Sequence, residues 1–245
     1  MKILTFQDKN DLGIAAAKEG AAAIKKAINE NGEATIVVAT GASQFEMLNQ
    51  LVEEDVDWSR VTAFHMDEYV GLPITHKASF RKYLQERILD QLPAFKHLEF
   101  VCGDVDDVKG EVERLNQLLD GKHIDVCFGG IGENCHLAFN DPPADFDIKS
   151  SYHVVELDEA CRQQQMGEGW FRALDDVPTK AISMTIHRIM TCDTVIICAP
   201  DDRKADAAKH AIEGPITANY PASILQRHQN TSFYLDAGSS SLLGK

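Results

Sequence analysis

Apolar residues along the chain fall into two alternating kinds of segment. The first kind is short and continuous: ILTF (3–6), TIVVA (35–39), VTAFHM (61–66), HLEFVCG (97–103), HIDVCFGG (123–130), KAISMTI (180–186), TVIICAP (194–200) and TSFYLD (231–236). Such runs, rich in β-branched residues, predict strands buried on both faces. The second kind repeats its apolar positions with the helical period. It covers 10–32, which closes on Asn31-Gly32, then 44–54, 79–92 behind Ser79, 106–120, 202–214 closed by Gly214, and a short piece at 221–228. Each carries a start or stop signal of the kind helices use. The alternation runs from end to end. It predicts one α/β domain, 1–245, with a mostly parallel central sheet and helices on both faces, Rossmann-like in plan. No repeat, low-complexity linker or coiled coil interrupts it, and only the closing AGSSSLLGK reads as loose. The glycines and polar residues of 140–175 predict a loop able to close as a lid.

Composition narrows the partners. The chain has 245 residues, 44% hydrophobic and 25% charged, enough for one large core. A net charge of −14 argues against a nucleic-acid partner. A phosphate remains compatible with it, because a local nest of N–H groups outweighs net charge. The N-terminal segment has no apolar core of a signal peptide, and no run approaches the roughly 20 residues of a membrane span. The expectation is a cytoplasmic protein with no membrane contact. Cysteines 102, 127, 135, 161, 192 and 198 include no C-x-x-C pair and read as buried free thiols, not as a zinc set or disulfides.

Ligands of such folds sit beyond the carboxyl ends of the strands, and three strand ends carry unusual residues. After TIVVA come Thr40, Gly41, Ala42 and Ser43, then a helix. That is an anion-binding turn, or an ordinary Ser-capped one. After VTAFHM come adjacent acids Asp67 and Glu68: a general base, or a solvated acidic turn. After HIDVCFGG comes IGENCHLAFNDPP. Gly129, Gly130 and Gly132 permit close approach to the backbone, His136 can exchange a proton near neutral pH, and Asn134 and Asp141 flank it. No metal-ligand spacing surrounds His136 apart from adjacent Cys135. Three such junctions together favour a functional reading.

In order, ATGAS, FHMDEYVGL, GGIGENCHLAFNDP and DDRKADAAKHAIEG…PASILQRH resemble the motifs of the glucosamine-6-phosphate deaminase (isomerase) family. That family shares a superfamily with 6-phosphogluconolactonases and ribose-5-phosphate isomerases. The resemblance spans about residues 10–236, and A-F-N-D-P favours the deaminase branch over the lactonases. It implies that Asp67 moves a proton from sugar C2 to C1. It implies that His136 opens the pyranose ring and that Asp141 supports it. Thr40, Gly41, Ala42, Ser43 and Lys204 would hold the phosphate, with Glu68 and Gly132 as further substrate-binding candidates. The substrate would be a small sugar phosphate, glucosamine- or galactosamine-6-phosphate, converted to a ketose phosphate and ammonia with no cofactor and no metal.

Departures from the family pattern qualify this. Asn134 stands where an aspartate is usual; an amide holds a tautomer but supplies no charge. Asp141 is one methylene shorter than the usual glutamate. Gly167 falls where the family has a phosphate-binding arginine, which leaves Arg162 as the nearest substitute and Gln165 as a weaker one. Two other classes therefore stay open: a 6-phosphogluconolactonase-like hydrolase, which needs no base at Asp67, and a non-catalytic sugar-phosphate sensor. Against the sensor, no helix-turn-helix segment precedes the domain. The short tail after the last strand predicts a monomer or small homo-oligomer.

Overall fold

The structure is a computed structural model describing residues 1–244. In chain order the elements are β1 (Lys2–Thr5), α1 (Lys9–Asn31), β2 (Ala34–Val38), α2 (Phe45–Leu51), β3 (Val61–His65), β4 (Asp67–Tyr69), α3 (Phe80–Leu84), β5 (His97–Glu99) and α4 (Val108–Leu119). There follow β6 (Val126–Gly129), β7 (Tyr152–Glu156), α5 (Glu159–Gly167), β8 (Lys180–Met184), α6 (Ile186–Ile189), β9 (Thr194–Ala199), α7 (Ala205–Glu213) and β10 (Thr231–Leu235).

Helix starts follow their caps. Asp8 accepts the N–H groups of Asn10 and Asp11 ahead of α1, Ser79 that of Lys82 in α3, Asp107 that of Gly110 in α4, and Asp158 that of Cys161 in α5. Helix α1 stops where Gly32 takes a left-handed conformation and donates back to Ile28.

Seven strands form one parallel sheet in the order β1-β10-β9-β6-β2-β3-β5. Its strands are apolar on both faces because both are covered. Ile36, Val38, Ile196 and Cys198 pack with α1 and α2, whereas their neighbours Val37, Val195 and Ile197 pack into a second core with Leu115 of α4 and Ala208 of α7. From β2 the chain first builds outward through β3 and β5, then returns to the other side of β2 as β6. The direction of winding therefore reverses between β2 and β6, which opens a crevice beyond their carboxyl ends.

A second, three-stranded antiparallel sheet, β4-β8-β7, is the main departure from expectation. KAISMTI is a strand, but of this sheet and not of the parallel one. Strand β7 and helix α5 occupy the stretch expected to be a lid loop. Of residues 152–156 only Tyr152 is buried, Val154 and Glu156 are exposed, and the polar His153 and Glu156 break the run, so no continuous apolar run announced the strand. The predicted helix 79–92 is also altered: α3 gives way to a π turn over Gln85–Leu89. Among the described residues no helix is long and apolar enough to cross a membrane, and all six cysteines are free.

Candidate active site

A cavity of about 320 Å³ opens at the reversal point, lined by the ends of β2, β3, β6 and β9, by α5, and by Lys9 and Asp236. Thr40, Gly41, Ala42 and Ser43 form one wall. Gly41 has φ 117° and ψ 169°, a conformation only glycine adopts without strain, and it starts the helical turn Ala42–Gln44. The first N–H groups of such a turn have no partner within it. Ser43 Oγ accepts the amide of Gln44 at 2.9 Å, and that amide also reaches Gly129 O at 3.2 Å, tying the loop to the end of β6. Thr40 Oγ1 is closed off from solvent and has no protein partner.

Facing this loop, Lys204 is 5% exposed. Burial pulls its pKa down; Glu168, Glu133 and Asp201 oppose that at a distance, and none accepts a hydrogen bond from it. An ammonium so placed favours a doubly charged anion.

Asp67 begins β4, one residue beyond β3. It lines the cavity, is 7% exposed, and burial together with the charge of Glu68 raises its pKa to about 8. Such a carboxyl exchanges its proton near neutral pH, as a general base must. His136 lines the same cavity. Its Nδ1 lies 3.0 Å from Asp141 Oδ1, hydrogen-bond length, but the angle is too oblique for a straight hydrogen bond, so the contact is a close pairing. Burial opposes the charge of Asp141; the contacts with His136, Asn134 and the Asp158 N–H outweigh it and hold the carboxyl below its ordinary value. Asn134 does not touch the imidazole. Its amide donates to Asp141 Oδ1 at 3.0 Å and to Asp158 Oδ2 at 3.4 Å, while its oxygen accepts the His136 N–H at 3.1 Å. Gly132 is obligatory here: a Cβ would fall 2.4 Å from the His136 ring.

Comparisons with known proteins bear on this arrangement. The family described as glucosamine-6-phosphate isomerases/6-phosphogluconolactonase matches residues 7–234. The chain belongs to that family. A glucosamine-6-phosphate deaminase of Streptococcus pneumoniae (strain Hungary19A-6) is 40% identical over 215 residues, 88% of this chain and 89% of that protein. Among solved structures, a monomeric glucosamine-6-phosphate deaminase superposes with TM-score 0.89 at 30% identity, covering 99% of this chain and 100% of that one. A 6-phosphogluconolactonase of Trypanosoma brucei reaches TM-score 0.81 at 17% identity, with 99% and 98% covered, and so shares the fold.

For this member of the family, the structure brings together Thr40, Gly41, Ala42, Ser43, Asp67, Gly132, His136 and Lys204 around the cavity, with Asp141 and Asn134 behind the histidine. Two expected site residues are not there. Glu68 is fully buried and turned the other way. It accepts the N–H groups of Tyr69, Phe80 and Arg81, the Ser79 hydroxyl and the Arg81 side chain, so it anchors the start of α3. Arg162 points out of α5 and donates to Leu174 O and Val177 O, which leaves it structural. Gln165, the weaker substitute, does line the cavity, with its oxygen held by the Tyr69 hydroxyl at 2.7 Å. Lys9 and Arg203 line it as well and went unnoticed in the sequence. Arg203 adjoins Lys204, and that dibasic pair at a strand end was the available signal. Lys9 lies far away in sequence and gave none.

Proposed function

We propose that this chain is an amino-sugar-phosphate deaminase/isomerase that converts glucosamine-6-phosphate, or its C4 epimer galactosamine-6-phosphate, into a ketohexose 6-phosphate and ammonia. The observation that carries this reading is Asp67. It is a nearly buried carboxyl with its pKa raised to about 8, open to the cavity that the His136–Asp141 pair also meets. A lactone hydrolase has no use for such a group; an aldose–ketose isomerase requires one.

In this reading the phosphate lies between Thr40–Ser43 and Lys204. The hydroxyl of Ser43, already an acceptor for Gln44, is left to donate to a phosphate oxygen. Thr40 supplies a second hydroxyl and Arg203 a second cation at the rim. His136 takes a proton from the anomeric hydroxyl and returns it to the ring oxygen, so the pyranose opens. The Asp141 carboxylate, 3.0 Å from Nδ1, sets the orientation of the imidazole and leaves Nε2 for the sugar. Asp67 removes the C2 proton and delivers it to C1, producing an imine at C2. Water adds there, and nitrogen departs as ammonia. Every step is a proton transfer or an addition that these side chains can serve.

The whole chain works as one domain, in the cytoplasm, where its six free thiols stay reduced. It acts as a monomer. Ammonia release from each epimer, assayed separately, tests the proposal. We expect release from glucosamine-6-phosphate, the substrate named by the relatives. Acid formation from 6-phosphogluconolactone with no ammonia from either sugar would replace this reading with the hydrolase.

A further inference from the structure

Behind the histidine lies a constellation with one member, Cys161, that the proposed reaction does not use. Nδ1 of His136, a carboxylate oxygen of Asp141 and Sγ of Cys161 all lie within 4.8 Å of one another. His136 is 7% exposed and Cys161 1%, and Nδ1, closed off from solvent, faces Asp141 Oδ1 at 3.0 Å without a well-formed hydrogen bond. The Asp141 carboxylate is held from outside the cluster, by the Asn134 amide at 3.0 Å and the Asp158 N–H at 3.0 Å. Asp141 also lines a shallow outer groove with Pro143, His153 and Asp158.

We propose that His136, Asp141 and Cys161 form a binding site for a borderline-soft divalent cation of the zinc type, and that filling it switches the histidine off. Imidazole nitrogen, carboxylate oxygen and thiolate are the donors such an ion prefers, at about 2.0–2.3 Å, so one ion spans ligand atoms about 3–4 Å apart. Three protein ligands leave a fourth position for water. The charges balance, since a dication meets one carboxylate and one thiolate. On binding, the Cys161 thiol releases its proton to solvent. The imidazole stays neutral, with its proton on Nε2 and its Nδ1 lone pair on the metal. The carboxylates of Asp141 and Asp158, both held by the Asn134 amide, add negative charge that favours a dication. The site escaped the spacing test because its cysteine comes from α5, far along the chain, and not from a local pair.

A metal-bound His136 can donate from Nε2 but can no longer accept there, so ring opening stops while phosphate binding by Lys204 is untouched. This activity arm rests on the proposed reaction; the binding arm does not. Cobalt(II) is the probe for binding. Metal-free protein should develop a thiolate-to-cobalt charge-transfer band at one metal per chain, and zinc should displace it. Cys161→Ser and Cys161→Ala should lack the band. Asp193→Asn, in the exposed His123–Asp125–Asp193 cluster, should keep it. Zinc should lower kcat of the wild-type protein without raising KM. The Cys161 variants should match wild-type activity without metal and need more than about tenfold more zinc for the same inhibition. Absence of the band, its survival in both Cys161 variants, or equal zinc sensitivity would each overturn the proposal. A band in protein that releases no ammonia would keep the site and remove only the proposed reaction.

Discussion

Asp67 owes its properties to position alone. It stands where β3 has ended and β4 begins, buried, next to the buried charge of Glu68, and that raises its pKa from 3.8 to about 8. The folded state therefore holds this proton more tightly than the unfolded chain does. Stability from it is complete below pH 4 and is lost as pH rises to about 8. Asp67→Asn should lose about 10²–10⁴-fold in ammonia release. Its melting temperature should gain on the wild type between pH 4 and pH 8, then hold a constant lead. Thermal melts across that range check this, and a lead that does not change with pH would mean Asp67 is ionised in the fold. Asn134 gives a second residue-scale test. It donates to two carboxylates, so the amide has a reason that the aligned sequence pattern did not reveal: Asp158, from a distant segment, stands beside Asp141. Asn134→Asp would set three carboxylates together and remove the side-chain amide that now bridges two of them. It should lower kcat and move the pH profile of kcat/KM; an unmoved profile would mean the amide does not govern the His136–Asp141 pair.

At the scale of elements, strand ends explain which site residues were legible. TIVVA, VTAFHM and HIDVCFGG are uninterrupted apolar runs, so the chain itself marks where Thr40, Asp67 and the His136 loop must emerge. Residues 140–175 carried no such mark. Strand β7 is broken by the polar His153 and Glu156, and α5 is a short helix with few apolar positions, so both were read as loop. That error made Arg162 look available, whereas it braces α5 against Leu174 and Val177. It also hid Gln165. Glu68 was misplaced for a different reason. Adjacent strand residues point to opposite sides, so only one of the pair Asp67-Glu68 can face the cavity, and the sequence does not say which. Glu68→Gln should destabilise the protein by about 2–4 kcal/mol, since it leaves Arg81 and several N–H groups of α3 less well paired. KM for the sugar phosphate should stay unchanged. A large KM effect in a protein of normal stability would return Glu68 to the binding site.

For the whole molecule, the crevice at the winding reversal collects residues from both ends of the chain, Lys9 to Asp236, around one cavity. The net charge of −14 does not prevent anion binding there: Lys9 is paired with Glu46 and Arg203 with Asp201, but Lys204 lines the cavity with no carboxylate in contact among the described residues. Lys204→Ala should weaken phosphorylated sugars by about 1.5–3 kcal/mol and leave unphosphorylated glucosamine unaffected. An equal effect on both would remove Lys204 from the phosphate. The exposed large apolar residues among the described ones, such as Ile3, Ile74 and Val154, are few. Light scattering should accordingly return the mass of one chain, 27.1 kDa, and a stable dimer would contradict the monomer.

The central claim is that Asp67 performs amino-sugar chemistry in this cavity. The most direct measurement is ammonia release from glucosamine-6-phosphate by wild-type protein and by Asp67→Asn, side by side at one pH. The account predicts steady release by the first and a loss of at least about a hundredfold in the second, with the fold intact. Equal rates, or a wild-type protein that binds the sugar phosphate and releases nothing, would contradict it.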